Sequence, residues 1–150
     1  MRYAPLLVAI AVVAVSSFGL SFLRGEPAMR IALVTDVVDG DTLTIEGGSR
    51  VRLLGIDTRE RGEPCYQEAK DFLKELVEMK EIGLEADAED KDRYGRLLRH
   101  VWLNGTHINL EIMKQGLAVA LVIEPNVKYR EKIAAAEKEA RQGGVGCLWE

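Results

Sequence analysis

The chain has 150 residues, 47% of them hydrophobic and 29% charged, which leaves room for one domain with a buried core and for little else. Its formal net charge is −4, from 20 Lys and Arg against 24 Asp and Glu. That balance excludes broad adhesion to a polyanion through bulk charge, although a local arginine cluster with a bound cation can still hold one phosphate.

Residues 1–26 are set apart from the rest. Arg2 precedes an almost unbroken apolar run from Ala4 to Leu23, and Arg24, Gly25, Glu26 and Pro27 follow. The run has no polar face and approaches the roughly 20 residues of a membrane-spanning helix, so it reads as a signal peptide or, better matched to its length, a hydrophobic anchoring helix. Arg2 and the terminal amine favour an N-terminus on the inner side, which puts the folded domain, residues 27–150, outside the cytoplasm, anchored or secreted. Loss of Arg2, Arg24 and Glu26 with a cleaved leader removes two positive charges and one negative and leaves −5.

Ile31, Leu33, Val34, Val37 and Val38 suggest a first strand, closed by the turn signal Asp39-Gly40. Asp41 to Ile45 alternates cleanly and runs into Gly47-Gly48, and a third strand starts at Val51, so the opening is an antiparallel meander. In that third segment Arg52 falls on the side of Leu54 and Ile56 while Asp57 falls on the other. For the two to share a site, the strand must end or bulge near Gly55.

Beyond Pro64 the period changes: Ala69, Phe72, Leu73, Leu76 and Val77 mark a helix from about Tyr66 to Lys80. Ile82, Leu84 and Ala86 alternate as a fourth strand, a charged loop spans Glu89 to Arg96, and Leu97 to Leu103 is a fifth strand ending in the hairpin signal Asn104-Gly105. Asn109 is a candidate cap for a short helix that stops at Gly116, and Leu117 to Ile123 reads as extended. Tyr129, Ile133, Ala136 and Ala140 form one face of a last helix, halted by Gly143-Gly144. The whole is α+β, mainly β: about five strands with inserted and appended helices, as in a small, partly open barrel.

Asp41 and Asp57 supply carboxylates from neighbouring strands with no His or Cys beside them, a donor set suited to a hard cation such as Ca²⁺ or Mg²⁺ rather than zinc. Arg52 and Arg96 can each fork two donors onto a phosphate, and Glu60 can take a proton from an attacking water. Singly, each of these side chains reads as an ordinary turn or surface residue; only joint placement gives them weight. Cys65 and Cys147, the only cysteines, can form one disulfide in an oxidising compartment, worth about 4 to 5 kcal/mol in the chain-entropy model, or remain two small buried thiols. His100, His107, Trp102 and Trp149 read as packing residues.

Four blocks carry a resemblance: Val38 to Thr42, Val51 to Glu60, Asp92 to Arg96, and Asn109 through Gln115-Gly116-Leu117-Ala118. In order and spacing the chain from about Ala32 to Trp149 resembles the staphylococcal nuclease, or thermonuclease, family. The resemblance implies a five-stranded OB-fold barrel with three helices. It also implies Ca²⁺ held by the Asp41 and Asp57 carboxylates and the Thr58 carbonyl, and Arg52, Glu60 and Arg96 as catalytic residues. Glu60 would be the general base, the arginines would stabilise the transition state, and Tyr94 with Arg93 would contact the nucleotide. The implied reaction is hydrolysis of phosphodiester bonds in DNA and/or RNA leaving 3′-phosphate ends.

The chain departs from that family where Arg59 replaces a usual proline, where Leu121 and Ile123 replace two nucleotide-contacting tyrosines, and where only Arg61-Gly62-Glu63 stands in place of a basic loop. Barrels of this kind also occur as nucleic-acid-binding or interaction modules without catalysis, and those tend to lack the arginines or acids that this chain keeps. No protein partner is expected, and the domain is expected to be a monomer.

Overall fold

Alternating apolar residues through the first half of the chain build a succession of short strands, each with one face turned to a common core. The computed structural model describes residues 29–150, and the leader expected over residues 1–26 lies outside them. Among the described residues no helix is long and apolar enough to cross a membrane. The elements are β1 (Arg30–Val37), β2 (Thr42–Ile45), β3 (Arg50–Leu53), β4 (Gly55–Thr58), α1 (Tyr66–Val77), β5 (Glu81–Lys91), β6 (Leu97–Leu103), β7 (Thr106–His107), α2 (Ile108–Lys114), β8 (Ala118–Leu121) and α3 (Arg130–Gly143). β3, β2, β1, β5 and β6 follow one another in the sheet, and a parallel pairing of β3 with β6, Arg52 opposite Leu98, closes them into a barrel. The result is α+β with a closed five-stranded barrel of OB type and three helices, as the sequence leads one to expect.

The third strand breaks where Arg52 and Asp57 require it. Gly55 takes a φ of 80°, open to glycine at little cost, and a Cβ there would lie 2.1 Å from the Ile133 side chain of α3. The chain turns this corner out of the barrel sheet and continues as β4, which pairs antiparallel with β8, Asp57 opposite Val119. The segment read as extended without clear periodicity thus has its partner outside the barrel.

Two local expectations are corrected. Asn109 does not cap α2, whose first residue is Ile108 with His107 in the cap position. Its side chain is fully buried instead: Oδ1 accepts from the Val101 N–H at 2.9 Å and Nδ2 donates to the Leu54 carbonyl at 2.8 Å, tying α2 to β6 and to the corner at Gly55. α1 stops at Val77 rather than Lys80, because Met79 adopts a φ of 57° and its N–H turns to the Val34 carbonyl on β1 while Lys80 Nζ donates to the carbonyls of Glu75 and Leu76.

The core runs through the barrel and out beneath the helices, with Leu43, Ile45, Leu53, Ile56, Leu73, Ile82, Ile112 and Ile133 among its fully buried members. Cys65 and Cys147 are paired, their Cα atoms 5.7 Å apart within the range disulfide geometry allows, and the pair joins the start of α1 to the segment after α3. On the far side of β5 and β6, His100 and His107 pack against Tyr129 and Trp102, with the Trp102 and His107 rings stacked at 4.5 Å. His107 Nε2 lies 3.3 Å from His100 Nδ1, and His100 Nε2 lies 3.8 Å from the Asp87 carboxylate. Glu85 accepts from Trp102 Nε1 and the Tyr129 hydroxyl and pairs with Lys128; these bonds outweigh the upward push of burial and hold its carboxyl below the usual range.

Burial pushes His100 from the usual 6.5 down to about 4, against the pull of Asp87, and His107 down to about 3, aided by the neighbouring imidazole. The folded state therefore binds fewer protons here than the unfolded chain, and stability should fall as pH drops through 6.5 toward 4. Thermal melts across that interval should show the decline, and a flat melting temperature would contradict it. Substituting Asn109→Leu, which strands the Val101 N–H and the Leu54 carbonyl in the interior, should cost about 2 kcal/mol or more by urea unfolding.

Candidate active site

Arg52 leaves β3 with its side chain only 14% exposed, and almost every donor it carries is engaged. Nη1 donates to the carbonyls of Leu53 at 2.6 Å and Ile56 at 2.7 Å, so the turn at Gly55 is wrapped around the guanidinium. Nη2 donates to Asp57 Oδ1 at 2.9 Å, and Nε lies 3.2 Å from Asp41 Oδ1. One Nη2 hydrogen is left without a protein acceptor among the described residues.

Asp41 is buried and occupied on both oxygens. Oδ2 accepts from the Thr58 N–H at 2.9 Å and the Thr58 hydroxyl at 3.1 Å, and Oδ1 accepts from the Thr42 hydroxyl at 3.1 Å. Its own N–H donates to Asp39 Oδ1 at 3.1 Å. Asp39 and Asp57 both have carboxyls held above the usual range. Burial is the main cause in each, and the nearby Asp41 charge adds to it, while at Asp57 the Arg52 guanidinium pulls the other way. Two carboxylates and a main-chain carbonyl make an oxygen-only donor set compatible with Ca²⁺. Among the described residues no group of three or more His, Cys, Asp or Glu gathers as a metal cluster, so a cation here would take its other ligands from water and substrate.

Arg96 stands one residue before β6, and Asp92 positions it. The Arg96 Nε donates to Asp92 Oδ2 at 2.7 Å, and the N–H groups of Tyr94 and Arg96 both donate to Asp92 Oδ1, at 2.9 and 3.0 Å. These bonds overcome burial and keep the Asp92 carboxyl below the usual range. Both Nη groups of Arg96 stay without a protein acceptor among the described residues. Tyr94 is exposed, with the Arg93 guanidinium over its ring at 4.8 Å and that of Arg96 at 5.5 Å.

Arg52, Arg93, Tyr94 and Arg96 line a single cleft of about 470 Å³, whose far wall includes Leu121 and Ile123. Glu60 is exposed and lines an adjoining hollow of about 250 Å³ with Asp57 and Thr58. Its N–H donates to Glu63 Oε2 at 2.7 Å and its carbonyl accepts from the Glu63 N–H at 3.0 Å, which closes the loop on itself. The predicted residues thus form two groups: the arginines and Tyr94 around the cleft, and Glu60 with Asp57 and Thr58 beside it. Asp41 lies beneath and touches both, through Arg52 and Thr58. Asp92 and the Glu89–Asn126 wall were not singled out from sequence. An Asx turn ahead of Tyr94-Gly95 is the signal that points to Asp92, whereas the Asn126 Oδ1 bond to the Glu89 N–H, 2.9 Å long, spans 37 residues and leaves no local trace.

This is an OB-type barrel protein with an arginine-lined cleft and, beside it, the Asp41 and Asp57 carboxylates tied to Arg52. The family model described as "Staphylococcal nuclease homologue" matches residues 50–150, and the chain belongs to that family. It is 40% identical over 127 residues to "Thermonuclease" of Staphylococcus intermedius, covering 79% of this chain and 75% of that one. It is 38% identical over 118 residues to "Thermonuclease" of Staphylococcus hyicus, covering 73% and 70% respectively. To "Endonuclease YncB" of Bacillus subtilis (strain 168) the identity is 41% over 123 residues, covering 75% of this chain and 58% of the relative.

Removal of the cationic partner by Arg52→Gln should move the Asp57 titration further up, since burial and Asp41 would then be opposed only by the weaker pull of Arg59. Carboxyl ¹³C shifts followed against pH report it directly, and an Asp57 midpoint that stays put would show that the ion pair does not set it.

Proposed function

We propose that this protein is a nuclease that hydrolyses phosphodiester bonds of DNA and/or RNA. The observation that carries the reading is the pair of guanidinium groups, Arg52 and Arg96, lining one cleft with each held by a carboxylate and each keeping Nη hydrogens for a ligand. Membership of the staphylococcal nuclease homologue family, with relatives named thermonuclease and endonuclease, supports it.

A phosphate in the cleft would accept from Arg96 Nη1 and Nη2 and from the remaining Arg52 Nη2 hydrogen. Such charge-assisted bonds tighten as negative charge accumulates on a five-coordinate phosphorus. Glu60 takes a proton from the attacking water as oxygen bonds to phosphorus, and the bond to the 5′ oxygen breaks, that oxygen taking up a proton from solvent to leave a 5′-hydroxyl, so the phosphate remains on the 3′ side. Asp41, Asp57 and the Thr58 carbonyl are the groups that would hold Ca²⁺, which supplies Lewis-acid polarisation of a phosphoryl oxygen when bound. Tyr94, with Arg93 beside it, offers an exposed ring for stacking, while Leu121 and Ile123 offer apolar contact only. The apolar run from Ala4 to Leu23, read from sequence as an anchor or signal peptide, supports an activity outside the cytoplasm, on a membrane or released from it.

Digestion of single- and double-stranded DNA and of RNA, with Ca²⁺, with Mg²⁺ and with chelator, tests the reading. Cleavage should require Ca²⁺ and collapse in Glu60→Gln, and Arg96→Ala should lower kcat by about a hundredfold or more. A folded protein that binds these nucleic acids yet cleaves none of them would be a binding module instead.

A further inference from the structure

A second, larger groove adjoins the cleft. It has a volume of about 640 Å³ and is lined by Arg30, Arg50, Lys91 and Arg96 together with Gly48, Ser49, Tyr94, Gly95 and Leu97, with no carboxylate in its walls. Barrel closure explains why these cations meet. β3 and β6 run parallel with Val51 opposite Leu97, so Arg50 and Arg96 stand side by side just ahead of that pair. Lys91 pairs with the same Leu97 from β5, and Arg30 opens the neighbouring β1. The four come from the starts or ends of four different elements and converge on one mouth.

Two features give this cluster weight: its walls bring four cations together with no carboxylate, and it continues the cleft. Lys74, Arg99, Lys114 and Arg130 take acidic partners in Glu78, Asp90, Glu111 and Glu124, while Arg59, Arg61, Lys70 and Lys138 make no ion pair among the described residues. Arg30, Arg50 and Lys91 are exposed and make no ion pair among the described residues. The groove also shares Lys91, Tyr94 and Arg96 with the cleft, so the two form one path across the barrel mouth. Gly48 and Gly95 present bare backbone along it, with nothing within 4 Å of where a Cβ would stand, which lets an extended ligand approach closely.

We propose that this groove is a track for the phosphodiester backbone of the nucleotides flanking the one held in the cleft, with Arg30 and Arg50 as its phosphate contacts outside the catalytic cleft. The assignment rests on the nuclease reading and deepens it: the substrate class becomes a polynucleotide of several residues rather than a dinucleotide. A backbone is the ligand that suits several cations on a path continuous with the cleft, since it presents one anionic group per nucleotide and no requirement for base identity.

The test compares the full chain with its Arg30→Gln/Arg50→Gln variant on a dinucleotide and on a single strand of about twelve nucleotides. Dinucleotide turnover should be the same in both, which also reports intact folding. For the longer strand KM should rise roughly tenfold at low salt with kcat unchanged, and the slope of log KM against log salt should weaken by about 1.4, or 0.7 for each lost contact. Equal KM and equal slope on the longer strand, with the dinucleotide still cut, would overturn the track and leave the nuclease standing. If the unchanged chain cuts neither substrate, the nuclease reading fails. Fluorescence anisotropy of the same strand then decides the groove: a weaker salt slope in the variant supports it and an equal slope overturns it.

Discussion

A guanidinium removed from most of its water must find acceptors for its hydrogens, and the way Arg52 finds them organises this structure. Two carbonyls from the Leu53 to Ile56 turn, the Asp57 carboxylate and the nearby Asp41 oxygen satisfy it. In return it cancels the repulsion between two acids whose burial already raises the cost of ionisation at Asp57. The corner that ends the barrel strand, the carboxylate pair and the floor of the cleft are therefore one electrostatic unit. Asn109 braces the same corner from behind through the Leu54 carbonyl, so a helix far along the chain holds the site's backbone in place.

Around this unit the chain replaces some of the stiffening that its relatives' resemblance suggests with contacts of its own. Arg59 stands where a proline is usual, so φ is not fixed there by a ring. The Glu63 carboxylate receives the Glu60 N–H and the Glu63 N–H returns to the Glu60 carbonyl, which closes the short loop by hydrogen bonds. Its two sides also differ in character: Leu121 and Ile123 make one wall of the cleft apolar, while the opposite approach is cationic. A chain that is acidic overall thus gathers Arg30, Arg50 and Lys91 in a groove whose walls hold no carboxylate, next to a cleft where Glu89 and Asp92 stand among the arginines.

Much of this is legible in the residues because it is local. Alternation located β2 and β5, apolar runs ending in turn signals located β1 and β6, three- and four-residue spacing located α1 and α3, and the need for Arg52 and Asp57 to meet required the break that Gly55 supplies. Asp92 lies in the same motif as Arg96, and its hydrogen bonds reach only two and four residues ahead. What could not be read is what long-range contacts decide. Asn109 has the composition of a cap, yet the unsatisfied Val101 N–H and Leu54 carbonyl claim its amide. The end of α1 depends on Val34, and the pairing of β8 depends on a strand that leaves the barrel. The cationic groove is the clearest case, because Arg30, Arg50 and Lys91 are scattered through sixty residues and only the closure of the barrel assembles them.

That closure has a further consequence for how such a site can change over time. A barrel without edges cannot let one strand slip without shifting every ladder in the ring, so the offset between Arg52 on β3 and Arg96 at the threshold of β6 is as durable as the fold. The two arginines act as a caliper of fixed opening. Glu60, by contrast, sits beyond β4 on a loop closed by a few hydrogen bonds, which insertions or single substitutions can reshape without touching the core. New preferences in this scaffold would therefore arise by moving the jaw that carries the glutamate, while the grip on phosphate stays where the barrel sets it.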